Sequence, residues 1–161
     1  KRVQDKFDIP IILKGIATAE DAAIAIENHI EVVYVSNHGG RQLDHGRGAL
    51  DVLPEVVKAV DGKAKVMLDG GIMRGADIVK AMALGADAVG MGRFQGMAVA
   101  AGGVPALVRA LEILESEVRA AMGMLGVTNY AELNSSYLHP GSKEVRDPHV
   151  LSCFPLIEEG Y

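Results

Sequence analysis

The stretch "EVVYVSNHGGRQLD", Glu31 to Asp44, is an apolar run that ends abruptly in Ser36, Asn37, His38, two glycines and Arg41. A short run without polar alternation suits a strand buried on both faces, as in a parallel sheet. A histidine and an arginine three positions apart, directly beyond such a strand, are costly unless they meet something. Gly39 and Gly40 supply the tight turn that holds both side chains there.

Outward from this stretch the same pattern repeats. "IPIILKG" precedes it, and "KVMLDGG" and "DAVGMGR" follow, each short, apolar and closed by glycine or polar residues. Strands are predicted near residues 10–14, 32–36, 65–69 and 88–92. Helical patterns lie between them. "TAEDAAIAIEN" opens with Thr18 as N-cap and Asp21 three residues on. "ALDVLPEVVKAV" is amphipathic around Pro54, and "RGADIVKAMALG" closes on Gly85, a C-cap residue. After the fourth strand a helix is predicted from Pro105 to Met124, with Gly126 just past its end. Four βα units in succession argue for an α/β fold with parallel strands, either an open doubly wound sheet or half of an eight-stranded barrel. The repeat length, and no GxGxxG after the first strand, favour the barrel.

The bulk properties narrow the function classes. The 161 residues are nearly half hydrophobic, with 19 glycines and a net charge of −5, so no basic patch is expected and nucleic acid is excluded as a partner. A single cysteine, Cys153, allows no internal disulfide and suits a reducing compartment, so a cytoplasmic protein is expected. The longest apolar runs read as strand-sized, which predicts no transmembrane segment, and no signal peptide is visible. The chain opens without Met and reaches its first strand almost at once, like text entered in the middle. Residues 1–140 read as the folded unit and residues 141–161 as a polar C-terminal tail with scattered aromatics.

Every predicted strand ends in chemistry-bearing residue types: Lys14-Gly15, Ser36 to Gly40, Asp69-Gly70-Gly71 and Gly92-Arg93. In barrel enzymes the C-terminal strand ends carry the active site, and a phosphate often sits in the loops after the last two strands. Glycines let backbone N–H groups approach a phosphate, and an arginine adds a two-point charge clamp. Plainer readings stand beside these. Lys14 can snorkel at a strand end, and Asp69 can cap the following helix. His29 falls at a helix end, while His45, His139 and His149 lie in loop-like text. No pair of histidines or cysteines has metal-ligand spacing, so no metal site is expected.

The blocks "PIILKGI", "VSNHGGRQLD", "LDGGIMRGADIVKAMALGADAVGMGR" and "GVTNYAEL" together resemble the FMN-dependent α-hydroxy acid oxidases and dehydrogenases, such as glycolate oxidase, L-lactate dehydrogenase and mandelate dehydrogenase. The resemblance covers roughly residues 9 to 138, and "SNHGGRQLD" is its most specific part. It implies a (β/α)8 TIM barrel of which this chain is the C-terminal half, strands five to eight. It also implies FMN as cofactor and oxidation of a small (S)-2-hydroxy acid to the 2-oxo acid, with hydride passed to flavin N5. On that resemblance Lys14 sits by flavin N1 and O2 and Ser36 also contacts the flavin. His38 is the catalytic base and Arg41 grips the substrate carboxylate. Asp69, Gly70, Gly71, Ile72 and Met73 line the ribityl chain and phosphate, and Gly92 and Arg93 complete the phosphate site.

One departure stands out. Many relatives carry arginine where this chain has Met73, which removes a phosphate donor, and Arg74 beside it is not expected to replace it. The N-terminal half of the barrel is the implied partner, as the same gene product or a companion fragment, and a homo-oligomer is expected. Two other readings use some of the same residues. One is a phosphate-binding aldolase or isomerase with Lys14 as Schiff-base nucleophile, and it leaves "SNHGGRQLD" unexplained. The other is a non-catalytic half-barrel.

Overall fold

The computed structural model describes residues 3–43 and 46–139. The predicted tail, with His149 and Cys153, and the pair Asp44 and His45 lie outside the described residues. Four strands, β1 (Ile12–Ile16), β2 (Val32–Val35), β3 (Lys65–Asp69) and β4 (Ala88–Gly90), form one sheet in the order β1-β2-β3-β4. Every neighbouring pair is parallel. Between them run α1 (Ala19–Glu27), α2 (Ala49–Val60) and α3 (Gly75–Ala83), and α4 (Gly92–Leu125) follows β4. This is a parallel α/β unit consistent with part of a TIM barrel.

The helix ends follow local chemistry. Thr18 Oγ1 accepts from the Asp21 N–H at 3.1 Å and starts α1. Gly85, at φ 98°, turns the chain after α3, and a Cβ there would stand 2.8 Å from Val57 Cγ1. Gly126, at φ 74°, ends α4 in the left-handed conformation.

The core is one-sided. Val33, Val35 and Leu68 are fully buried beneath the helices, packed with Val52, Leu53, Val56 and Val60 of α2 and with Ala22 and Ala25 of α1. The expectation of strands buried on both faces therefore holds only for the helix-covered face. On the other face Ile12 is 55% exposed and Tyr34 and Met67 are half-buried, because no element among the described residues covers it. A smaller cluster of Val79, Ala83, Val118, Val127 and Leu133 joins α3, α4 and the segment that follows.

Two further expectations change. β1 runs two residues later than predicted, so Lys14 lies within the strand, just before an irregularity at Gly15. A helical segment that was not predicted starts at Gly92, directly after β4, and runs into the helix predicted from Pro105 to make up α4. Its backbone breaks at Gly102 and Gly103, the latter at φ 64°. The first part, "GRFQGMAVAAGG", carries too many glycines for periodicity to mark it. Contrary to expectation, the apolar run in this element is longer than a strand. By length and composition α4 is apolar enough to cross a membrane, with a mean hydropathy of 1.6 over 18 residues. Interspersed glycines and alanines hide that stretch from a search for contiguous large apolar residues.

Candidate active site

Parallel pairing places residues in rows across the open face of the sheet. Lys14, Tyr34, Met67 and Ala88 are register partners in one row, and Asp69 and Gly90 share the next, toward the C-terminal strand ends. Lys14 is the hub. Its Nζ donates to Ser36 Oγ at 2.8 Å and pairs with Asp69 Oδ2 at 3.1 Å, linking β1 to the ends of β2 and β3. Ser36 is only 2% exposed, and its Oγ also accepts from the His38 N–H at 3.2 Å. One hydroxyl thus ties the cation to the turn that carries the histidine.

The turn itself explains the sequence "NHGG". His38, Gly39 and Gly40 all have positive φ, at 55°, 71° and 71°. Glycine adopts that conformation freely, and histidine is among the few other residues that visit it. Asn37 Oδ1 fixes the turn by accepting from the Gly39 N–H at 3.0 Å. The His38 ring then lies back over β1, where a Cβ on Gly15 would come within 2.9 Å of Cε1. The left-handed Gly15, at φ 106°, gives the ring its seat.

The loops after β3 and β4 complete the cluster. Gly70 and Gly71 turn at φ 101° and 76° directly after Asp69. A Cβ on Gly71 or Gly92 would meet nothing within 4 Å, so backbone there is open to an incoming group. α4 starts at Gly92 without a side-chain cap, which leaves N–H groups of its first turn available to an anion. The Arg93 guanidinium reaches toward the β2 turn, with Nη2 3.8 Å from the Cβ position of Gly39. Lys14, Ser36, His38, Asp69, Gly70, Gly71, Gly92 and Arg93 therefore gather at one end of the sheet. Arg41 follows the same turn and is exposed. Ile72 is buried in the core, 5% exposed, so its side chain packs and does not line the open face.

The segment at Met73 is arranged differently. The Met73 and Arg74 N–H groups donate to Asp77 Oδ2 at 3.1 and 2.9 Å, and the Gly75 N–H donates to Glu117 Oε2 at 2.6 Å. The start of α3 is thus already occupied by carboxylates. Arg74 Nε and Nη2 lie 2.8 and 2.7 Å from Glu117 Oε1, tying α3 to α4. Arg74 does not turn toward the glycine loops, as expected.

Three residues without an assigned role in the sequence reading belong to the cluster: Tyr34, which was not singled out, and Asn37 and Gly15, noted only as strand-end residues. Tyr34 faces Lys14, Asn37 caps the histidine turn, and Gly15 seats the ring. The alternation in "VYVS" already put Tyr34 on the same face as Ser36. Nothing local reveals the role of Gly15, because the atom it makes room for lies 23 positions away in the chain.

The profile of the FMN-dependent dehydrogenase family matches residues 1–140, and the chain belongs to this family. It is 45% identical over 137 residues to an L-lactate oxidase of Nostoc sp., covering 85% of this chain and 38% of that protein. Identity to the human 2-hydroxyacid oxidase 2 is 45% over 126 residues, with 78% and 36% covered. Among solved structures, a mandelate oxidase variant with a monooxide FMN adduct superposes with a TM-score of 0.79 at 45% identity, over 81% of this chain and 41% of that one. Mandelate oxidase with (S)-2-phenylpropionate gives a TM-score of 0.78 at 44% identity, over 80% and 38%. The chain thus spans about two fifths of the length of the relatives it matches.

Proposed function

We propose that this chain forms the FMN-holding half of an enzyme that oxidises a small (S)-2-hydroxy acid to the 2-oxo acid. The observation that carries the reading is the Lys14–Ser36–Asp69 linkage beneath the His38 turn, in a chain whose relatives are named as 2-hydroxy acid oxidases. The residues present fit a flavin mononucleotide. The open glycines at 71 and 92, the uncapped start of α4 and the Arg93 guanidinium suit a phosphate dianion. Lys14 places one positive charge on the face where a ring system would lie. FMN, when bound, supplies the two-electron acceptor.

The chain's own residues do the rest. Lys14 is oriented by two acceptors, so less reorganisation is needed where negative charge develops. His38 takes the proton of the substrate hydroxyl; an imidazole suits that role because its ordinary pKa lies near neutrality. Arg41 binds the carboxylate through its planar two-point fork and so orients the α-carbon. The Schiff-base alternative fits less well, because the Lys14 amine is engaged by Asp69 and Ser36 and is not presented as a free nucleophile.

On this reading the unit supplies strands five to eight of the barrel. β1 and β4 are the two edges of the sheet, and Ile9, Ile12 and Leu13 stand exposed beside the first. An N-terminal half with four more strands would pair both edges and cover the open face. The test is a His38→Gln variant of the complete FMN-loaded protein, followed by stopped-flow absorbance at the flavin band. FMN should remain bound while reduction by a 2-hydroxy acid slows about 10²–10⁴-fold. Reduction at the wild-type rate would reject His38 as the base, and a wild-type protein that binds no FMN would reject the reading as a whole.

A further inference from the structure

We propose that Tyr34 is a positioning residue of this site: it sets the Lys14 ammonium against Ser36 and Asp69, and with it the charge offered to the flavin. The inference rests on the FMN reading above. In "VVYV" the two flanking valines, Val33 and Val35, point to the buried helix side, while Val32 and Tyr34 share the open face, with Tyr34 nearer the polar cluster. Its strand partner in register is Lys14, and their side chains share the open face. The Lys14 Nζ lies 5.2 Å from the centre of the Tyr34 ring, within the range of about 6 Å over which a cation is attracted to an aromatic face.

The far end of the ring is anchored too. The phenol oxygen occupies the place that a Cβ on Gly90 would take, so the missing side chain of β4 makes room for it. There it lies beside Asp69, whose Oδ1 is buried without a hydrogen-bond partner among the described residues. Burial, reinforced by the adjacent Asp69 carboxylate, raises the phenol's pKa above its ordinary value.

The consequence follows from the freedom of a lysine. Its four-carbon stem has many rotamers, and the Lys14 side chain is 38% exposed, so water is always an alternative. Ser36 and Asp69 hold the ammonium from the strand ends, and the ring holds it from the adjacent strand. Without the ring the charge spends part of its time in solvent, and stabilisation of negative charge at the site weakens.

The experiment compares Tyr34→Leu and Tyr34→Phe in the FMN-loaded protein by spectroelectrochemical titration, with FMN affinity measured alongside. Tyr34→Leu should lose about three- to tenfold in stabilisation of reduced over oxidised flavin, a midpoint about 15–30 mV more negative for a two-electron couple. Tyr34→Phe keeps the ring and should return to within about twofold of wild type. Lost packing alone would lower FMN affinity or thermal stability without moving the potential of flavin that stays bound.

A flavin-free arm reads the contact itself. After reductive ¹³C-methylation, the Lys14 NMR signal should be displaced by the aromatic ring in wild type and Tyr34→Phe, and not in Tyr34→Leu. An unchanged potential in FMN-loaded Tyr34→Leu overturns the tuning role alone. An undisplaced Lys14 signal in wild type overturns the contact. A wild type that binds no FMN removes the functional reading and the tuning role together, while the NMR signal still judges the contact.

Discussion

Replacing Gly15 by alanine tests how the histidine is aimed. The new methyl would lie 2.9 Å from His38 Cε1, and ordinary contact begins at 3.4 Å, so the ring must retreat by about half an ångström. The backbone also resists, because an L side chain at φ 106° costs on the order of 1–3 kcal/mol. β1 can relieve that strain by straightening its irregularity, which moves the ring's seat further. A misplacement of 1 Å can cost about 10²-fold in rate, so Gly15→Ala should lower kcat about 10–100-fold.

FMN affinity should change much less. Lys14 is adjacent in sequence but is held by Ser36 and Asp69, which the methyl does not touch. Steady-state kinetics with a 2-hydroxy acid, flavin fluorescence titration and thermal unfolding together give the answer. Wild-type kcat in a variant of wild-type stability would refute the seating of His38 on Gly15. A loss of FMN binding as large as the loss of kcat would show that the β1 irregularity, and not the ring, carries the effect.

Other outcomes follow from the same geometry. Arg41→Lys in the complete enzyme should reduce kcat/KM by an amount equivalent to about 2–5 kcal/mol, because an ammonium lacks the planar fork; unchanged kcat/KM would remove Arg41 from carboxylate binding. Glu117→Ala takes away the partner of Arg74 and the acceptor of the Gly75 N–H, so urea unfolding should show a loss of about 1–3 kcal/mol. Arg74→Ala should leave FMN affinity within twofold of wild type, since that guanidinium faces Glu117. Tenfold weaker binding there would mean that Arg74 swings over to the phosphate.

The order of elements, and the end of the sheet where the glycine-rich and charged segments gather, follow from the residue pattern alone. Unbroken apolar runs closed by "LKG", "SNHGG", "DGG" and "GR" mark strands whose C-terminal ends are polar, and parallel βα connectivity brings those ends together. The caps at Thr18, Gly85 and Gly126 were legible for the same reason: each is a local conformational preference that needs no distant partner.

Everything set by atoms far apart in the chain was visible only in the folded structure. It alone showed that Arg74 is bound by Glu117, 43 positions away, and that Asp77 already takes the Met73 N–H. It showed that Gly15 makes room for His38 and Gly90 for Tyr34, although each glycine looks ordinary in its own neighbourhood. It also showed that the described residues cover only one face of the sheet, which an apolar run cannot reveal, because a strand carries the same residues whether or not a second layer lies against it. Local propensity writes the elements, while charge pairing and close contact depend on which surfaces the fold presses together.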